Sequence, residues 1–193
     1  MDWLQKLLCR LFGYRCPLSI ELNGDSILNG YGVDITPVQR IQAARPWWTL
    51  DDRCINGLRL QKLMLTFADV PHNSRVTVIA LGANDGFGLV PPDEYRADLL
   101  EAVRISRECG SIPVFTGLPG MPLGRFPVEW TDNLDALNAV MHDIATQQGI
   151  PHAGWDADFR GDEDLNPDGV HRTQAASDRL AQLLIQTIDR LPR

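Results

Sequence analysis

Three short blocks of this chain carry residues that could do chemistry together. Gly24-Asp25-Ser26 offers a hydroxyl, Gly82-Ala83-Asn84-Asp85 offers an uncharged amide, and Asp168-Gly169-Val170-His171 offers a carboxylate and an imidazole three residues apart. A serine hydroxyl becomes a nucleophile when a neighbouring base takes its proton. Imidazole suits that task near neutral pH, and a carboxylate beside it holds the required tautomer. An asparagine amide can meet a developing oxyanion without adding a charge to the resting site. Taken singly the blocks are ordinary: Asp25 or Ser26 can cap a helix, and Asn-Asp-Gly and Asp-Gly are good turns. Their joint occurrence in this order is what lifts the reading above caps and turns, toward chemistry on a serine hydroxyl.

Such groups must be brought together by the elements between them. Leu18–Asn23 alternates and stops at Gly24, which predicts a strand ending just before Ser26. A second short strand is expected over Arg53–Ile55, and a helix over Leu58–Phe67. Arg75–Leu81 is β-branched and nearly continuous, the pattern of a strand covered on both faces. Helices are predicted over Pro92–Cys109, Trp130–Gln148 and Thr173–Leu191, and further strands over Ile112–Thr116 and Ile150–Ala153. Strands alternating with helices imply βαβ crossovers, and hence a three-layer α/β/α sandwich around a central parallel sheet. Ligand sites in such sheets lie beyond the carboxyl ends of the strands. Two of the three blocks stand at predicted strand ends.

The chain of 193 residues is 44% hydrophobic and 22% charged, which suits one folded domain and excludes disorder, collagen and coiled coil. Its net charge of −7 argues against gripping a nucleic acid backbone. Cys9, Cys16, Cys54 and Cys109 form no Cys-x-x-Cys pair. Four reduced thiols are expected, with a Cys9–Cys16 bridge as the alternative. No apolar stretch approaches the ~20 residues that cross a bilayer.

In residues 1–16 the apolar Trp3, Leu4, Leu7, Leu8, Leu11 and Phe12 recur at helical spacing, with Lys6, Arg10 and Arg15 elsewhere on the wheel. Charges interrupt the run and no small-residue cleavage site follows, so a signal peptide is not expected and the protein is read as cytoplasmic. The segment reads as an amphipathic helix that folds back onto the domain, or that meets a membrane surface or a protein partner. The domain proper is expected over residues 17–193, with oligomeric state left open.

With these blocks in place, the chain resembles the SGNH hydrolases, also called GDSL esterases and lipases. Gly24-Asp25-Ser26, Gly82-Ala83-Asn84-Asp85 and Asp168-Gly169-Val170-His171 match three of that family's four blocks, from residue 24 to residue 171. The fourth, a single glycine, is matched by Gly57 of Cys54-Ile55-Asn56-Gly57-Leu58, although Leu58 and Arg59 stand where small or hydroxylated residues often follow. The resemblance implies a flavodoxin-like SGNH fold, a Ser26-His171-Asp168 triad, and an oxyanion hole from the N–H groups of Ser26 and Gly57 and the side chain of Asn84. It also implies carboxylic ester hydrolysis without a cofactor, on a small ester or an acylated carbohydrate. Short acyl groups, acetyl above all, are expected because no lid insertion is visible. The alternatives are a thioesterase or lysophospholipase, and a carbohydrate- or surface-binding module on an inactive scaffold. Asp25 and Asp85 are expected to tie loop N–H groups rather than to react.

Rival motifs fail on their letters. Gly24-Asp25-Ser26-Ile27-Leu28 lacks the last glycine of Gly-x-Ser-x-Gly, and Gly86-Phe87-Gly88 continues without a third glycine. The loop from Asp156 breaks the calcium pattern at Arg160 and Pro167. Four histidines, His72, His142, His152 and His171, are too few and too scattered to announce a metal hydrolase, so no metal is expected. His152 with Asp156 is the one rival His/Asp pair, read as loop structure. The substrate pocket is expected from Phe87 and from Met121, Arg125 and Phe126 of the long Gly117–Pro127 loop, because long loops in compact domains usually line a site.

Overall fold

The computed structural model describes residues 16–122 and 124–192. Four parallel strands, β1 (Leu18–Gly24), β2 (Trp48–Asp52), β3 (Val76–Ala80) and β4 (Ile112–Phe115), lie in the order β2-β1-β3-β4. The helices are α1 (Ser26–Asn29), α2 (Pro37–Ala44), α3 (Leu60–Met64), α4 (Ala83–Phe87), α5 (Pro92–Glu108), α6 (Val128–Gln148) and α7 (Gln174–Asp189). α2 packs against α7, while α5 packs against both α3 and α6. These two groups make the outer layers of the α/β/α sandwich, with the core against both faces of the sheet.

β1 and β3 form the middle of the sheet, in register Leu22 with Val78 and Gly24 with Ala80. Ile20, Leu22, Val76, Val78 and Ile79 are fully buried, as near-continuous apolar strands covered on both faces must be. β1 also buries Glu21 and Asn23, and the Glu21 carboxylate and Asn23 Nδ2 have partners. His72 Nδ1 lies 2.9 Å from Glu21 Oε2, Arg53 lies 3.3 Å from the same carboxylate, and Asn23 Nδ2 donates to Glu21 Oε1 at 2.7 Å.

The structure corrects several expectations. The second strand is Trp48–Asp52, not Arg53–Ile55. It is an edge strand with only Trp48 fully buried, so its apolar signal is thin. The residues expected there continue along β1 by two bonds, Arg53 N–H to Leu22 O and Ile55 N–H to Gly24 O, as the chain leaves the sheet. The last expected strand, Ile150–Ala153, makes an isolated parallel bridge between His152 and Phe115. Pro151 has no N–H to extend a ladder beside the short β4. α3 is shorter than the expected Leu58–Phe67 and is followed by a 3-10 turn, Phe67–Asp69.

Cys16 is disulfide-bonded while Cys54 and Cys109 are free, so the expectation of four reduced thiols is overturned. Cys9, the partner considered from the sequence, lies outside the described residues, as does the amphipathic helix expected over residues 1–16 apart from Cys16 itself. Among the described residues no helix is long and apolar enough to cross a membrane.

Candidate active site

β1 and β3 are neighbours, and the chain runs outward from β1 to β2 on one side and to β3 on the other. The carboxyl ends of β1 and β3 therefore open onto a crevice where the direction of strand order reverses, the place where open α/β sheets bind ligands. Ser26 is the first residue of α1, two positions beyond the end of β1. Asp25 caps this helix, its Oδ1 accepting from Ile27 N–H at 2.9 Å. The cap holds Ser26 in the tight strand-to-helix turn, and the residue is 9% exposed.

The third block arrives from the far end of the chain. Asn166 N–H donates to His171 O, Gly169 N–H to Asn166 O and Thr173 N–H to Asp164 O, which folds residues 164–173 into a compact loop ahead of α7. The Asn166 side chain reaches across to Gly32 O at 3.3 Å and so ties this loop to the segment after α1. His171 Nε2 then stands 2.9 Å from Ser26 Oγ, and His171 Nδ1 stands 2.8 Å from Asp168 Oδ2. The second Asp168 oxygen accepts from the N–H groups of Val170 and His171, both at 2.9 Å. Burial pushes the Asp168 carboxyl up, but the Val170 and His171 N–H donors and the imidazole outweigh it and hold the group below its ordinary value. A carboxylate facing Nδ1 places the ring proton there and leaves Nε2 as the acceptor of the serine hydroxyl.

The amide block lies on the opposite wall. Asn84, on α4, directs Nδ2 to Leu58 O at 3.1 Å and, at a longer 3.4 Å, to Asp25 Oδ2. It therefore sits between the Ser26 turn and the loop that carries Gly57. That loop holds Gly57 at φ +76°, the left-handed region that glycine adopts without a Cβ penalty. Asn56 accepts from Asn29 Nδ2 at 2.7 Å, which fixes the loop against α1. Asp85 is fully buried and accepts from Leu60 N–H at 2.9 Å and Gln61 N–H at 3.4 Å, joining α4 to the start of α3. Both acidic neighbours thus tie loops. Burial, with lesser help from the charge of Asp85, pushes the Asp25 carboxyl up to about 7.

The four residues expected to line a pocket part company. Phe87 and Phe126 meet with ring centroids 5.8 Å apart, and Trp130 joins both at 5.5 and 6.2 Å. Met121 is buried in the hydrophobic core. Arg125 donates to Pro167 O at 2.6 Å, clasping the loop that carries Asp168. An open cleft of about 440 Å³ adjoins Gly57 and is lined also by Arg59, Gln61, Lys62 and Leu65.

Two residues at the site were not singled out from the sequence. The exposed Tyr31 ring lies 4.5 Å from the His171 ring, tilted by 45°. Arg172 is buried and donates to Gly120 O at 2.6 Å, which joins the histidine loop to the Gly117–Pro127 loop. Tyr31 between Gly30 and Gly32 was the only local hint, and Arg172 had none. The rival pair also differs from expectation: His142, not His152, is hydrogen-bonded to Asp156, at 2.8 Å.

Residues 22–179 match the model of the GDSL-like lipase/acylhydrolase family. Among solved structures, the chain is similar to a lipase/acylhydrolase from Enterococcus faecalis, with 21% identity, a TM-score of 0.77, and coverage of 89% of this chain and 95% of that one. It is likewise similar to an acetyl xylan esterase from Geobacillus stearothermophilus, with 18% identity, a TM-score of 0.72, and coverage of 91% and 97%. A psychrotrophic esterase from Pseudoalteromonas sp. aligns at 16% identity and a TM-score of 0.71, over 89% of this chain and 97% of its own. Identities this low speak for the fold. No curated protein sequence matches the chain.

Proposed function

We propose that this chain, which belongs to the GDSL-like lipase/acylhydrolase family, hydrolyses carboxylic esters with Ser26 as its nucleophile. The observation that carries the reading is the unbroken hydrogen-bond chain from Ser26 Oγ to His171 at 2.9 Å and from His171 to Asp168 at 2.8 Å. As Ser26 Oγ adds to the ester carbonyl, its proton passes to His171 Nε2, and Asp168 stabilises the resulting imidazolium. The carbonyl electrons move onto oxygen. That oxyanion is met by the N–H groups of Ser26 and Gly57 and by Asn84 Nδ2, which gives up its long contact to Asp25. Collapse expels the alcohol, which takes the proton back from His171 and leaves an acyl-serine. Water activated by the same imidazole then releases the acid.

A short acyl group, acetyl first, is the preferred substrate. This rests on Met121 filling the core instead of an acyl channel, and on Phe87, Phe126 and Trp130 closing together. The acetyl xylan esterase among the structural neighbours is in keeping with an acylated carbohydrate as the natural ester.

The test is turnover of p-nitrophenyl esters from acetate to palmitate. Ser26→Ala and His171→Ala should each lower kcat by about 10⁴-fold or more with an unchanged circular dichroism spectrum. Asn84→Ala should lower it by about 10²–10³-fold. Wild-type turnover in folded Ser26→Ala would remove the proposal, and a preference for palmitate would remove its acyl-length part.

A further inference from the structure

Beyond the carboxyl end of β4, two strands away from β1, three side chains converge that the hydrolytic reading does not use. His142 comes from α6, while His152 and Asp156 come from the segment running beside β4. Each offers a ligand-type atom, and these atoms all lie within 4.8 Å of one another. We propose that His142, His152 and Asp156 form a binding site for one divalent transition-metal ion of the zinc class.

One observation besides proximity points to a ligand. His152 Nε2 and Asp156 Oδ1 are both buried without a hydrogen-bond partner. Buried polar atoms are nearly always satisfied, so two orphans in one cluster point to a further group between them, an ion or a water. Gly117, at the start of the Gly117–Pro127 loop, forms the floor of the cluster. A Cβ there would overlap Asp156 Oδ1 and lie 2.8 Å from His152 Cε1. The absence of a side chain at Gly117 lets Asp156 and His152 lie directly against the root of this loop.

The donor set selects the class of ion. Two imidazoles and one carboxylate suit zinc and its transition-metal neighbours, whereas calcium and magnesium demand mostly oxygen ligands. Bonds of about 2.0–2.2 Å to zinc require the widest pair to draw in by roughly 1.5 Å. The exposed His142 provides that movement, being held here by Asp156 and by stacking on His152 at 4.2 Å. Its exposure also leaves a fourth position open to water.

The protons can be followed. His142 Nε2 now donates to Asp156 Oδ2, and His152 Nδ1 accepts from Gly154 N–H at 3.1 Å, which puts that ring's proton on Nε2. An ion bound through both Nε2 atoms moves each ring proton to Nδ1, and the His152 ring must then turn away from Gly154 N–H, which it can no longer accept from. Both rings stay neutral and no proton is released. Two ordinary hydrogen bonds are exchanged for three coordinate bonds. The bound ion would staple α6, the segment beside β4 and the root of the Gly117–Pro127 loop, a structural task independent of Ser26.

The experiment uses the full chain, stripped with a chelator and then titrated with Zn²⁺ by calorimetry and thermal unfolding. Co²⁺ absorption serves as the reporter of coordination. One saturable site per chain is expected, with a raised Tm and a Co²⁺ spectrum containing nitrogen ligands, and no effect of Ca²⁺ or Mg²⁺. His142→Gln and His152→Asn should each weaken Zn²⁺ binding at least tenfold, while His171→Gln retains it. His142 is exposed, so its variant keeps the test valid if His152→Asn fails to fold. The proposal is overturned if wild type shows no saturable site, which would leave the two orphans to a bridging water. It is equally overturned if His142→Gln binds as wild type does, or if His171→Gln abolishes binding and so moves the ion to the Ser26 site.

Discussion

Asp25 is a buried carboxyl directly before the proposed nucleophile. It caps α1 from a position that is 2% exposed, and burial, followed by the charge of Asp85, pushes its carboxyl up to about 7. In the unfolded chain the same group titrates near ~3.9. Between those values the folded protein holds the proton that the unfolded chain has lost, so this contribution to stability falls as pH rises and is gone above about 7. Asp25→Asn keeps an oxygen for Ile27 N–H and removes the titration. Urea unfolding at pH 5 and pH 8 should show a smaller loss of stability across that interval in the variant, by more than about 1 and at most about 4 kcal/mol. An unchanged difference would mean that Asp25 stays ionised in the fold. These residues were readable from the sequence for a chemical reason: hydroxyl, imidazole, carboxylate and amide are few, and their blocks are contiguous. Tyr31 and Arg172 were not, because a ring tilted against His171 and a buried guanidinium on Gly120 O involve partners far away in the chain.

The loops and short helices show why some elements were legible and others were not. α5, α6 and α7 bury one stripe each at helical spacing, and their limits agree with the expected ones to within two residues. α2 was missed although Thr36-Pro37-Val38-Gln39 spells a capping box with proline in the first turn, and both reciprocal bonds are made. A longer helix would have been found by periodicity, but eight residues give barely two turns. β2 was misplaced because an edge strand with one covered residue hardly alternates. The loop after β2 is where conformation is set by backbone alone: Gly57 lies at φ +76° and a Cβ there would meet nothing within 4 Å. Gly57→Ala should therefore lower stability by about 1–2 kcal/mol through backbone strain only, and Gly57→Asn should recover part of it. The urea midpoint reads both. Equal stability of the alanine variant would show that the loop relaxes out of the left-handed region.

One contiguous set of buried side chains runs from Ile20 on β1 through Leu99 and Met141 to Ile188 on α7, so the layers have no seam at which to part. Leu99 is fully buried between the sheet and its neighbouring helices. Leu99→Ala should lower stability by about 2–5 kcal/mol. The loss should appear at the same midpoint in far-ultraviolet circular dichroism and in tryptophan fluorescence, because Trp48 and Trp155 are each 2% exposed at different places in the fold. Two separated transitions would contradict a single cooperative unit.

By itself the sequence determined the class of architecture, the order of the blocks and the side chains that stand as candidates for the reaction. Those are local properties: periodicity of burial, turn residues after strands, and side-chain chemistry. Only the tertiary structure decided which groups touch. Ser26 and His171 are 145 residues apart in the chain and 2.9 Å apart in space, and no local pattern contains that distance. The same holds for His142, His152 and Asp156, which the sequence scattered over a helix and a loop and the fold gathered into one cluster, His142 stacking on the His152 that bridges to β4.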